Sequence, residues 1–247
     1  MFLRHGGFLP SSLFDNTKSI LANASGEYLV KSDFGAASDG KKGTVNYWFY
    51  ANNVGTPTTQ AHYAANSSGT NADEDSFNYV NGGSLQFTQE FAATIGGQHR
   101  YTQALSTSTW YQITVQYDRS NGTTADRMKF FVNGTEITPP TVDAGISDVV
   151  MRWAAASNQS MIGATPNDTS GQRIDGLIHQ FSYCDGQLNA PSAYASGGLP
   201  IDISGLTFGN NGFWLQFLDS GDLGADSSGN DNHFTNNGVT QSTTVPT

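Results

Sequence analysis

The run WYQITVQYD, Trp110 to Asp118, followed after a polar break by RMKFFVNGTEIT, Arg127 to Thr138, decides the fold. In the first, Tyr111, Ile113, Val115 and Tyr117 alternate with Gln112, Thr114 and Gln116. That is the period-two pattern of a strand with one apolar face. In the second, an apolar stretch meets Asn133-Gly134, a pair that tolerates the positive φ angles of a type I′ hairpin turn. The two runs predict antiparallel strands with Ile113 and its parity partners facing a core. Gln112 and its partners are expected on the opposite, wetter face, so Ile113→Asp should be costly and Gln112→Asp nearly silent.

Working outward, short runs of the same kind recur between turn signals. Before Trp110 come SILA (Ser19 to Ala22), EYLVKS (Glu27 to Ser32) and GTVNYWFYA (Gly43 to Ala51), the last with Val45, Tyr47 and Phe49 on one face. SFNYV and SLQFTQEF flank Asn81-Gly82-Gly83, and HRYTQAL follows Gly96-Gly97. After the Asn-Gly turn come MRWAAA, SMIGAT, GLIHQFSYC and GFWLQFLD. Strands spaced at roughly 8–12 residues indicate a sandwich or barrel. Only PSAYASGG (Pro191 to Gly198) suggests a helical turn, and no fixed repeat supports a propeller or solenoid. The expected fold is all-β, a two-sheet antiparallel jelly roll. Its expected parts are an N-terminal arm over 1–16, a sandwich over 17–238 and a polar tail over 239–247.

Composition narrows the partners. The 247 residues carry 11 Lys and Arg against 21 Asp and Glu, a net charge of −10. Such a balance argues against nucleic acid, whose recognition needs phosphate neutralisation. Aromatic residues make up 12% of the chain, enough for a large core. Cys184 is the single cysteine, so no internal disulfide forms. No apolar stretch approaches the roughly 18 residues of a membrane span, and no membrane insertion is expected. The opening MFLRHGGFLPSSLF is interrupted by Gly6 and Gly7 and does not read as a secretory signal. Phe2, Leu3, Phe8 and Leu9 give this arm apolar character without a clean period. They are the expected docking residues for a neighbouring chain.

Three segments, taken in order, resemble the laminin-G-like, concanavalin A-like lectin/glucanase sandwich. They are GTVNYWFYANN, then STSTWYQITVQYDRSNGTTADRMKFFVNGTEIT, then QRIDGLIHQFSYCDGQL, and the likeness spans about Ser19 to Leu188. The later run NNGFWLQFLDSGDLGADSSGNDNHFTNNG is similar to a segment of laminin-G-like virion proteins of tailed, especially marine, phages. Asp226, Ser228, Gly229, Asn230, Asn232 and Phe234 carry that narrower match. The resemblance implies the sandwich fold and a structural or adhesive role on a phage particle.

Glucanases share this fold, so catalysis is tested at the residues. A retaining glycosidase needs two carboxyls roughly 5–5.5 Å apart, and the family's glucanases carry them on one strand as Glu-x-Asp-x-x-Glu. The chain has four Glu (Glu27, Glu74, Glu90 and Glu136) and none lies in that pattern. Asp73-Glu74-Asp75 reads as a solvated loop. The five His show no zinc-binding spacing, and His179 reads as an ordinary sheet histidine. Asp226, with Asn230 and Asn232, reads first as an Asx turn around Ser228-Gly229. Calcium is the alternative there, because Asp219, Asp222 and Asp231 add hard oxygens nearby. No other cofactor is indicated. Tyr63, Tyr101 and Trp153 are candidate sugar platforms, whereas Trp48, Trp110 and Trp214 sit in apolar runs and are assigned to the core.

The expected function is therefore non-enzymatic: a virion protein that decorates a capsid or forms part of a tail appendage. It would work with other virion proteins and as a homo-oligomer. The first alternative is an adhesin that binds host-surface glycans, and the second is a glucanase.

Overall fold

The computed structural model describes residues 14–247 apart from 56, 68–72, 81, 92–93, 138–141, 144 and 157. Phe2, Leu3, Phe8 and Leu9, the expected docking residues, lie outside the described residues. The first sheet contains β1 (Ser19–Ala22), β3 (Lys42–Ala51), β8 (Trp110–Asp118), β9 (Met128–Val132), β10 (Thr135–Glu136), β15 (Gly176–Asp185), β18 (Phe213–Leu215) and β20 (Thr240–Ser242). Its order is β10-β9-β8-β3-β15-β1-β20, with β18 also paired to β15. The second sheet contains β2 (Tyr28–Lys31), β4 (Thr59–Asn66), β5 (Glu74–Val80), β6 (Ser84–Phe91), β7 (Thr94–Thr102), β11 (Val142–Asp143), β12 (Gln159–Ile162) and β19 (Thr235–Asn237). These run β11-β7-β6-β5-β4-β12-β2-β19, and the hairpin of β13 (Ala164–Thr165) and β14 (Asp168–Arg173) joins at β4. The expected two-sheet antiparallel sandwich is the fold.

The deciding runs behave as their alternation requires. In β8, Ile113, Val115 and Tyr117 enter the core, opposite Tyr47, Val45 and Gly43 of β3. Asn133 (φ 49) and Gly134 (φ 80) close the β9–β10 turn with Val132 paired to Thr135. Two positive φ angles in a two-residue loop are the I′ geometry. In β15 the register shifts between His179 and Ser182, with Gln180 at φ 49. The bulge sets Ile178, Phe181 and Tyr183 in the core cluster and leaves His179 and Ser182 on the other face.

Between the sheets, Trp153 is the central core residue. Its ring lies 4.7 Å from Phe77, 5.3 Å from Tyr63 and 5.8 Å from Tyr117. MRWAAA, expected as a strand, is a 3-10 turn over Arg152–Ala154. A buried carboxylate organises it: Asp75 accepts from Arg152 N at 2.9 Å and from Arg152 Nη1 at 2.7 Å.

The acidic triplet is accordingly no solvated loop. Glu74 and Asp75 open β5 and are buried. Burial raises Asp75 despite the opposing pull of Arg152 and Arg119. Burial, with Glu90 next in weight, pushes Glu74 up to about 7.

The first sheet's outer face also departs from expectation. Gln112 is 3% exposed and Thr114 is fully buried. A third layer, residues 187–208, covers them. It includes a 3-10 turn at Pro191–Ala193, near the expected helical turn, and a ribbon of β16 (Ala195–Ser196) with β17 (Leu199–Pro200). Gln112 Nε2 donates to Pro191 O and to Asn46 Oδ1, both at 3.0 Å, and Gln116 Nε2 donates to Asn189 O at 2.7 Å. Farther along, Cys184, Tyr194, Ile203, Phe208 and Trp214 form a second, smaller core. Part of the span expected as a polar tail is strand. β20 pairs with β1, Leu21 opposite Thr240, and Ser19 Oγ donates to Thr244 O at 2.7 Å.

Candidate functional site

The structure brings Asp226, Asn230 and Asn232 together in one loop, with their polar atoms turned on the protein itself. Asp226 Oδ1 accepts from Trp214 N (2.8 Å) and Ser228 N (2.9 Å). Its Oδ2 accepts from Ser228 Oγ (2.8 Å) and Asn232 N (2.9 Å). Asn230 Nδ2 donates to Gly209 O and Gly212 O, and Asn232 Nδ2 to Asn210 O and Gly212 O. This is an Asx-type hub that ties the 209–212 turn to the end of β18. A cation would have to displace four donors from Asp226. Asp219, Asp222 and Asp231 are exposed, and among the described residues no three His, Cys, Asp or Glu converge as a metal-binding group.

The expected sugar platforms are not at a surface. Tyr63 and Trp153 are fully buried and Tyr101 is 2% exposed, all inside the sandwich. His179 is buried in β15, where Nδ1 meets Lys18 O at 2.6 Å and burial lowers it to about 4. A carbonyl only accepts, so Nδ1 carries a proton, and the lowered value leaves Nε2 without one near neutral pH.

A concavity opens instead on the outer face of the first sheet, beside the third layer. Its volume is about 840 Å³, and Trp48, Trp110, Gln112, Asn133, Pro191 and Ser192 are among its lining residues. Strand parity places the aromatic pair: Trp48 is two residues from Asn46, and Trp110 two from Gln112, all on the face away from the core. Trp110 is half-buried. Its ring is held 5.4 Å from Tyr50 at 53° and 6.4 Å from His179 at 78°. Trp48 is 3% exposed and forms the floor.

The rim is set by the hairpin turn. Asn133 is exposed, and its Oδ1 accepts from Gln112 N at 2.9 Å, which fixes its amide plane. Ser108, Thr109 and Ser192 add hydroxyls around the opening. An indole wall with fixed amides and hydroxyls suits a ligand that is apolar on one face and rich in hydrogen-bonding groups at its edge. Among the described residues, no carboxylate side chain lines the pocket, so they bring no glycosidase carboxyl pair to it.

Hydrophobicity sent Trp48 and Trp110 to the core at the sequence level. Parity could have placed them outside, since each is out of phase with the Val, Ile and Tyr residues of its own strand.

Among solved structures, a native heptameric SAP-like pentraxin from Limulus polyphemus matches with TM-score 0.60 and 15% identity. That match covers 94% of this chain and 97% of the pentraxin. A putative carbohydrate binding protein from Bacteroides ovatus matches with TM-score 0.64 and 16% identity. There the match covers 93% of this chain, which spans only 60% of the other protein. At these identities the likeness is one of fold. No curated protein matches the chain in sequence. The family profile described as the concanavalin A-like lectin/glucanases superfamily matches residues 23–194, well over half of the sequence and from just before β2 to the third layer. The chain belongs to the concanavalin A-like lectin/glucanases superfamily.

Proposed function

We propose that this chain is a non-catalytic carbohydrate-binding sandwich whose binding site is the pocket between Trp48, Trp110 and Asn133. The observation that carries the reading is the half-buried Trp110 ring on the wall of an 840 Å³ concavity, beside an amide fixed by Gln112. A pyranose presents C–H bonds on one face and hydroxyls at its edge, which matches an indole wall with an amide and hydroxyl rim. The Bacteroides ovatus protein, described as a putative carbohydrate binding protein, lends support at the level of fold.

The proposed setting is a phage virion, which the run from Gly212 to Phe234 favours through its resemblance to virion proteins. Display in several copies would suit such a site, because linked weak sites gain avidity without new contacts.

The test of binding is a glycan array followed by tryptophan-fluorescence titration of the hits. Trp110→Ala should weaken every hit by roughly tenfold or more, as losing a central aromatic anchor does. Unchanged binding in that variant, or no hit at all, removes the reading. For the setting, antibody against the chain should label purified particles. Its absence from particles removes the virion role while leaving the pocket intact.

A further inference from the structure

Among the described residues, no ionisable side chain lines the pocket. Trp48, Trp110, Gln112 and Asn133 are neutral, as are the hydroxyls of Ser108, Thr109, Ser192 and Thr247, and the rest is Gly, Ala and Pro. An anionic ligand seated here would give up water for a site with no countercharge, which is costly. The chain's net charge of −10 adds a long-range repulsion of the same sign.

A second observation concerns the floor. Trp48 Nε1 is a buried N–H without an acceptor, and His179 Nε2 is a buried ring nitrogen without a partner. The two residues are direct cross-strand partners. Because His179 Nδ1 donates to Lys18 O, Nε2 presents a lone pair. One residue thus offers a spare donor and its neighbour a spare acceptor. Of the two only Trp48 lines the pocket, so a ligand hydroxyl can accept from its N–H there, directly or through a water.

We infer that the pocket takes the uncharged class of saccharide and discriminates against sialylated, sulfated and uronic ligands. This rests on the sugar-binding reading of the same pocket, and it adds a charge rule that the fold does not dictate. Affinity for such a ligand carries little dependence on ionic strength, since no charge pair is screened.

The experiment uses the full chain and matched pairs of probes: neutral oligosaccharides such as lactose, each beside an acidic counterpart such as 3′-sialyllactose. Native protein, Trp110→Ala, Trp48→Phe and Thr109→Lys are titrated by fluorescence at about 0.05 and 0.5 M salt. Neutral members should bind at least about tenfold tighter than their acidic counterparts, equally at both salts. Trp48→Phe keeps a ring and removes the donor, and should weaken neutral binding several-fold with a modest fall in melting temperature from the space it opens. Thr109→Lys adds a cation at the rim and should narrow the preference.

An acidic member that binds the native chain more tightly than its neutral partner, and is lost in Trp110→Ala, overturns the charge rule and leaves the sugar site standing. Binding by neither class, or binding indifferent to Trp110→Ala, ends the sugar-binding reading itself. The two failures are therefore separable.

Discussion

Asp226 shows how much one side chain can hold. The sequence suggested a simple Asx turn, for which Asn is a near-equivalent and the loss would be about 1 kcal/mol. In the structure both carboxylate oxygens are used twice, by Trp214 N and Ser228 N on one side and Ser228 Oγ and Asn232 N on the other. Asn keeps one acceptor and replaces the other with an NH₂ that meets two donors. Asp226→Asn should therefore cost about 2–3 kcal/mol in urea denaturation, the range for stranding buried donors. The same hub bears on calcium. An ion bound only to the folded chain adds about 2.7 kcal/mol at a hundredfold excess over Kd. With the carboxylate already saturated, melting in calcium and in chelator should agree within about 1 °C. A calcium-dependent rise above about 4 °C, absent in Asp226→Asn, would restore the ion.

At the scale of elements, β8 separates what the sequence disclosed from what it concealed. Alternation is local and survives in any sheet, so Ile113, Val115 and Tyr117 were legible as core residues. The same alternation made Gln112 a surface residue, because nothing local announces that residues 187–208 fold back over it. That layer is held through amides reaching backbone carbonyls far along the chain, Gln112 to Pro191 and Gln116 to Asn189. Such bonds leave no hydrophobic period behind. The pocket was hidden for the complementary reason. Trp48 and Trp110 carry the right parity for the outer face, but their hydrophobicity points inward, and only the third layer turns that face into a concavity. Trp153 ran the other way, its 3-10 turn set by an ion pair between Arg152 and Asp75, 77 residues apart. Two substitutions in β8 follow. Ile113→Asp should cost several kcal/mol by burying an unpaired charge. Gln112→Asp should cost about 2–3 kcal/mol, because it buries a carboxylate against Asn46 Oδ1 and Pro191 O, which are both acceptors. Were Gln112→Asp to melt like the native chain, the third layer would not be holding β8 as described.

The whole molecule sums opposing titrations. Burial lowers His62 to about 3 and His179 to about 4, from an ordinary value of 6.5. As pH falls below 6.5 the unfolded chain takes up protons at both sites and the folded chain does not, so stability is lost toward acid. Glu74 acts in the opposite sense. Burial and the neighbouring Glu90 carry it from 4.5 up to about 7, with Asp75 adding to the rise and Arg152 opposing it. Between those values the folded chain keeps a proton that the unfolded chain has released, so stability is lost as pH rises through the window. From about pH 4.5 to 6.5 the two histidines outweigh the one glutamate, and these three groups make the chain gain roughly 1.4 kcal/mol per unit. Above 6.5 the histidine contribution is complete and only the Glu74 loss continues, so their combined stability peaks near the histidine value. Glu74→Gln isolates the glutamate, because groups not coupled to it cancel in the difference from the native chain. The variant should gain on the native protein steadily from pH 4.5 to 7, by about 3 kcal/mol in all, and hold that advantage at pH 8. Urea denaturation at unit pH steps reads this directly. A difference that stays flat with pH would place the Glu74 proton in water, and the buried start of β5 would have to be redrawn.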